Sequence, residues 1–271
     1  MKFEGTLEFT TNIGKKGCAV GCKICPQSLL VNKYDTPNDF LTFENFAIIL
    51  SKAPKSYRID FSGYAEPFLN KDCSKMIKHA YDLGYTVCCY TTLVGANKDD
   101  VDLLSTISFS PSNPLTIHLP DKNGTMPIKV TEKYKNLLKY LISKGISSTY
   151  FMTMDGMGEV NTEVNQIVGK LPNFTPVSRA GNLDNTPKIK RVSGKIRCRP
   201  MPRLNHNIVL PNGDVQLCCM DYGLKHTVGN LITGSHESLF KSQEFTRIKK
   251  AMKNDSEDIL CRFCEMAEPT T

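Results

Sequence analysis

The stretch "KKGCAVGCKICPQS", residues 15–28, sets Cys18, Cys22 and Cys25 within eight residues and follows them with Pro26. It comes directly after "LEFTTNI" (7–13), an alternating run rich in β-branched and aromatic residues that predicts a strand. Three thiols on the loop after a strand, with no local fourth ligand, suit a cubane iron–sulfur cluster that keeps one iron open. Structural zinc, which takes four ligands, and unligated cysteines are the alternatives that spacing alone leaves.

Outward from this loop the chain alternates. Further strands are predicted at "YRIDF" (57–61), "YTVCCYTT" (85–92), "LTIHL" (115–119), "STYFMTM" (148–154) and "FTPVS" (174–178). Helical patterns fall between them: from a capping Thr42 through "FENFAIILSKA", from Asp72 to Leu83 with Gly84 as a stop, near 98–105, from Thr131 to Lys144 with Gly145 behind it, and near 160–170. Strands joined through helices make a parallel sheet. Six such units are too few for an eight-fold barrel, so the expected α/β fold is a partial (β/α)6 TIM-like barrel with its ligands at the C-terminal ends of the strands. After about residue 180 the alternation stops, and "GNLDNTPKIKRVSGK" reads as a polar linker. Beyond it "HNIVLPNGDVQLCC" predicts a hairpin about Pro211-Asn212-Gly213-Asp214, and an amphipathic helix at about 237–253 leads into "CRFC". Two domains are expected, 1–182 and 183–271.

With 271 residues, 40% hydrophobic and 23% charged, the chain has the composition of a soluble globular protein with a sizeable core. The N-terminal segment lacks the apolar region of a signal peptide, and no run approaches the roughly 18 apolar residues of a membrane span, so a cytoplasmic location with no membrane partner is expected. The 11 cysteines are odd in number, and Cys88–Cys89, Cys218–Cys219 and Cys261–Cys264 are too close together for a disulfide framework. In a reducing cytosol such spacing favours metal. The formal charge of +7 is spread thinly, the densest basic stretch being "KIKRVSGKIRCR" (188–199). Two [4Fe–4S] clusters held by seven thiolates would bring it to about +4. A nucleic-acid partner is not expected.

The Cys18-x3-Cys22-x2-Cys25 loop resembles the signature of the radical S-adenosylmethionine enzymes, in which the open iron is chelated by the amino and carboxylate groups of the cofactor. "DFSGYAEPFLN" (60–70) resembles the family's Gly-Gly-Glu-Pro-like segment. The likeness implies that Tyr64, Ala65, Glu66 and Pro67 meet the methionyl amino group, with Ala65 standing where the family has glycine. "YTTLVG" (90–95) resembles the end of the family's third strand, which implies Thr91 and Thr92 as cofactor contacts. "VSRAGN" (177–182) resembles the segment closing the sixth strand, which implies Ser178 and Arg179 facing the cofactor's carboxylate, a task suited to the guanidinium fork. Ile24 replaces the aromatic residue usual before the third cysteine. In the C-terminal part, Cys198-x14-Gly213-x4-Cys218 with Cys261-x2-Cys264 resembles the twitch domain, an abbreviated SPASM module around an auxiliary [4Fe–4S] cluster. Cys219 competes with Cys218. Neighbouring side chains on a strand face opposite ways, and the Gly-x4-Cys spacing selects Cys218. Spacing alone would also admit zinc at these four cysteines.

The resemblance implies two [4Fe–4S] clusters, S-adenosylmethionine, and a flavodoxin- or ferredoxin-type electron donor. It implies reductive cleavage to a 5′-deoxyadenosyl radical that takes a hydrogen atom from substrate. With the first strand beginning by about residue 7, no leader-binding extension is expected. An oxidoreductase acting on a small hydroxylated or sugar-like molecule is therefore expected over a maturase of a ribosomal peptide, and over a non-catalytic iron–sulfur protein. His118 and Asp155, at or just after predicted strand ends, are the candidate catalytic residues. Cys73, Cys88 and Cys89 read as small buried apolar residues.

Overall fold

The computed structural model describes residues 3–154, 159–169, 171, 178–183 and 189–270. Strand β1 (Gly5–Phe9) enters the cysteine loop, which ends in a short helix, α1 (Gln27–Val31). Then α2 (Phe43–Lys52), β2 (Tyr57–Phe61), α3 (Cys73–Asp82), β3 (Thr86–Thr91), α4 (Lys98–Ser105), β4 (Leu115–His118), α5 (Glu132–Ser143), β5 (Thr149–Met152) and α6 (Thr162–Val168) alternate. Helix starts follow the capping chemistry of the sequence. The Thr42 hydroxyl accepts from Asn45 N, and Asn97 and Asp100 form a reciprocal capping box, each such cap contributing about 1 kcal/mol.

Strands β1 to β5 lie parallel in the order β5-β4-β3-β2-β1. Their two faces differ. Leu7, Phe9, Ile59, Phe61, Val87, Cys89, Leu115 and Ile117 point to the helices and are buried with Phe46, Ile49, Met76, Ile77 and Leu138. The alternate positions are polar. Register places Thr6 beside Arg58 and Thr86, Glu8 beside Asp60 and Cys88, Tyr90 beside Thr116, and His118 beside Met152. Parallel sheets are ordinarily apolar on both faces, and here the charged side chains of the inner face pair with one another, Arg58 with Asp60 and Glu8 with His206.

The sequence also predicts a sixth strand at 174–178. Residues 174–177 lie outside those described, as does Asp155.

After β6 (Ile196–Cys198), strands β7 (His206–Val209) and β8 (Asp214–Gln216) form the expected hairpin, with Gly213 at φ 84° in its turn. A third strand, β9 (Thr227–Asn230), pairs with β8. This unit does not stand apart: β7 pairs in parallel with β1, Thr6 opposite His206 and Phe9 opposite Val209, so eight described strands share one sheet. The expected single helix at 237–253 is two, α7 (His236–Leu239) and α8 (Gln243–Asn254). Ser242 breaks it by capping α8, its hydroxyl accepting from Phe245 N. The chain closes on β10 (Ala267–Pro269), which pairs with β6 so that Cys198 lies opposite Ala267. Among the described residues no helix is long and apolar enough to cross a membrane.

Candidate active site and auxiliary cysteine site

A cleft at the C-terminal ends of the strands gathers most of the predicted site. Cys18, Cys22 and Cys25 line it together with Ile24, the segment Tyr64, Ala65, Glu66 and Pro67, the pair Thr91 and Thr92, His118 and Arg179. Gln27, which the sequence reading missed, and the backbone of Glu66 hold the cysteine loop in place. Gln27 accepts from Cys18 N (3.0 Å) and donates to Tyr64 O (2.6 Å), and Glu66 N donates to Cys18 Sγ (3.3 Å). Gly63, at φ 67°, packs so tightly on Thr10 that a Cβ would fall 2.0 Å from the threonine hydroxyl. Its N–H donates to Glu8. Burial pushes the Cys18 and Cys22 thiols above their ordinary range, so loading metal there must release protons.

Several predicted cofactor contacts have other work. The Glu66 carboxylate, 4% exposed, accepts from Phe68 N (3.1 Å), the Thr91 hydroxyl (2.5 Å), and both the N–H and hydroxyl of Thr92 (2.6 Å each). Four donors fill the acceptor positions of one carboxylate, so Glu66 splices the second and third strand ends together rather than offering an oxygen to a ligand. Burial pushes its pKa up while these donors pull against the shift. Ser178 is likewise engaged elsewhere. Its N–H and hydroxyl both donate to Glu265 (2.6 and 2.9 Å), and it does not line the cleft. That clamp, with Ala180 N as a third donor, holds Arg179 and Ala180 in the left-handed region (φ 55° each) and so delivers the Arg179 side chain into the cleft.

The polar face beneath the cleft was also missed, although the alternation in "LEF" and "YRIDF" carried the signal. Arg58 grips Asp60 through two 2.6 Å bonds, and Glu8 pairs with His206 at 2.8 Å. Burial raises Asp60 despite the guanidinium. For Glu8, burial works against ionisation, but His206, Gly63 and Ser62 outweigh it and hold the carboxyl below its ordinary 4.5. Burial also opposes the charge on His206, yet Glu8 lifts it above its ordinary 6.5. The pair therefore stabilises fully between pH 4.5 and 6.5, and loses its contribution as pH falls through the lowered Glu8 value or rises through the raised His206 value. A His206→Gln variant should be less stable than the parent by about 1.5–3 kcal/mol at a pH near 5.5. In denaturant titrations at about pH 9 that gap should narrow; a gap independent of pH would show that the pair is not ionised. His118 behaves oppositely. Burial, then Arg179, brings it down to about 4, so it is a neutral imidazole at the cleft wall.

The second cysteine set lines one apolar cavity of ≈ 180 Å³: Cys198, Cys218, Cys219, Cys261 and Cys264 with Met201, Leu204, Leu217, Met220, Leu260 and Met266. Among the described residues no three His, Cys, Asp or Glu side chains converge as they would on a single metal ion. A four-iron cubane makes no such demand, since each thiolate takes its own iron. This largely apolar, cysteine-lined chamber fits such a cluster. Residues 198–265 match the SPASM family, an iron–sulfur cluster-binding domain. The C-terminal part of the chain is thus similar to SPASM domains.

Over almost its whole length the chain shares its fold with solved structures of BtrN and SuiB. BtrN in complex with AdoMet and 2-DOIA superposes with a TM-score of 0.62 at 17% identity, over 93% of this chain and 88% of that one. BtrN in an open conformation gives 0.58 at 15%, over 98% and 93%. Streptococcus suis SuiB bound to precursor peptide SuiA gives 0.51 at 13%, over 98% and 70%. A comparison with curated protein sequences found no match.

Within the SPASM-like part, Arg262 is fully buried between Cys261 and Cys264. It donates to the carbonyls of Val192, Gly194 and Ala251, fastening the linker and helix α8 to the cysteine turn. Strand β8 ends at Gln216, so Cys218 and Cys219 sit on a turn, where strand alternation does not decide between them. Packing separates them instead. Cys218 joins a cluster with Cys264, Leu260 and Met266, whereas Cys219 joins one with Ile13, Tyr64, Tyr222 and Cys25 on the barrel side. Cys73 and Cys89 are buried in the helix-side core as expected, while Cys88 lies on the polar face beside Asp60.

Proposed function

We propose that this chain is a radical S-adenosylmethionine oxidoreductase that dehydrogenates a small hydroxylated substrate, with Cys18, Cys22 and Cys25 holding one [4Fe–4S] cluster and Cys198, Cys218, Cys261 and Cys264 the other. The observation that carries this reading is the polar inner face of the sheet, where Tyr90 and His118 line the cysteine cleft and the buried Glu8 and Asp60 lie on neighbouring strands. A sugar-like molecule would offer hydroxyls to the polar groups of Tyr90 and His118 at the cleft wall. With both cysteine sets loaded, the first cluster and S-adenosylmethionine supply a 5′-deoxyadenosyl radical, and the second an electron acceptor. Arg179 would pair with the cofactor's carboxylate, and the 64–67 segment on the same cleft wall would meet its ammonium group. His118, brought down to about 4 by burial, would offer a ring nitrogen to a hydroxyl proton, whereas the Nε2 of His206 is paired with Glu8. Substrate would thus lose a hydrogen atom to the radical, a proton to His118 and an electron to the second site. Lys16 and Lys23 beside the cysteine loop suit an acidic flavodoxin- or ferredoxin-type donor.

BtrN and SuiB point to different substrates, 2-DOIA and a precursor peptide. A carbinol-deuterated substrate separates them. About one 5′-deoxyadenosine should form per carbonyl product and carry the deuterium, and Cys261→Ala should still cleave S-adenosylmethionine without oxidising substrate. Cleavage stimulated by a peptide alone, or a product at the substrate's oxidation level, would overturn the assignment.

A further inference from the structure

Tyr222 belongs to the SPASM-like part, three residues past Cys219, yet its hydroxyl lies 3.7 Å from the Sγ of Cys25 in the N-terminal loop. The ring is held from two sides. Tyr64 packs against it with centroids 4.6 Å apart, and the Arg179 guanidinium sits 5.7 Å from its centre. Tyr64 is itself anchored in the SPASM-like part, its hydroxyl donating to the carbonyls of Cys218 (2.9 Å) and Asp221 (3.1 Å). Tyr222 is 2% exposed, so little water competes for its hydroxyl. We propose that Tyr222 donates a hydrogen bond to the Cys25 thiolate of the N-terminal cluster and thereby sets that cluster's reduction potential from the auxiliary domain.

The chemistry follows from the partners. A cluster-bound thiolate carries no proton and can only accept, so the phenol must be the donor. A hydrogen bond to a ligand sulfur draws off electron density and stabilises the more negative, reduced cluster, which raises its potential. The nearby guanidinium polarises the phenol in the same sense and makes it a stronger donor. Tyr222 is a positioning and tuning residue, not a catalytic one.

This inference rests on the reading that Cys18, Cys22 and Cys25 hold a cluster, and the test separates the two. Tyr222→Phe keeps the ring and removes only the donor. In the anaerobically reconstituted protein, redox titration followed by electron paramagnetic resonance should report the N-terminal cluster as the signal that changes when S-adenosylmethionine is added. Tyr222→Phe should make its reduction about tenfold less favourable, a shift of about 59 mV to more negative potential for a one-electron couple. The auxiliary signal and the iron content should not move. An unchanged potential in Tyr222→Phe with both clusters assembled, or an equal shift of the auxiliary signal, would overturn the inference alone. A parent protein with no cluster at the three-cysteine loop would overturn the underlying reading as well.

Discussion

Replacing Cys18, Cys22 and Cys25 together with alanine should take the anaerobically reconstituted protein from about eight irons to about four and abolish S-adenosylmethionine cleavage altogether. The three thiols share one cleft wall and are fixed there by Gln27 and by the Glu66 N–H, so they act as a single ligand set. The remaining irons should stay with the SPASM cavity, whose cysteines approach from β6, the turn after β8 and the "CRFC" segment. Iron analysis and the 5′-deoxyadenosine yield with dithionite check both halves. Retention of eight irons, zinc in the second site, or cleavage by the triple variant would refute the assignment of the two sites.

Glu66→Ala should cost about 3–5 kcal/mol of stability, a large share of the 5–15 kcal/mol typical of a folded domain. The substitution strands four buried donors on two segments at once: Phe68 N, the Thr91 hydroxyl, and the N–H and hydroxyl of Thr92. Each hydrogen bond to a charged group is worth about 1.5–3 kcal/mol, although losses within one network do not add. Glu66→Gln keeps the volume and one carbonyl oxygen, and should lose less. Denaturant unfolding of the cluster-free chains measures this without reference to activity. A wild-type midpoint in Glu66→Ala would mean that the splice between the second and third strand ends is not formed.

Much of this was legible in advance for physical reasons that particular residues make plain. Residues 57–61 read as a strand because Tyr57, Ile59 and Phe61 alternate with Arg58 and Asp60, and β2 has those bounds. The same alternation encoded the polar inner face, but a charged pair on a strand ordinarily signals solvent, and only the register with Glu8 and Cys88 shows it buried. The cysteine sets were recognisable because ligand spacing is local within each loop. What spacing could not carry was long-range pairing: β7 against β1, Glu265 against Ser178, and Tyr222 against Cys25 all join residues more than 80 apart. The bond from the Ser178 hydroxyl to Glu265 was invisible for that reason, since its partner lies in the other half of the chain.

The pairing of β7 with β1 has a consequence for electron movement. Tunnelling rates fall exponentially with separation, so a relay between two sites on loosely tethered domains would fluctuate with every hinge motion. Here a ladder of backbone hydrogen bonds runs between the strand that feeds the first cysteine loop and the strand that opens the second hairpin. With clusters at both cysteine sets, as proposed, their separation would be set by the sheet and not by the length of the connecting segment.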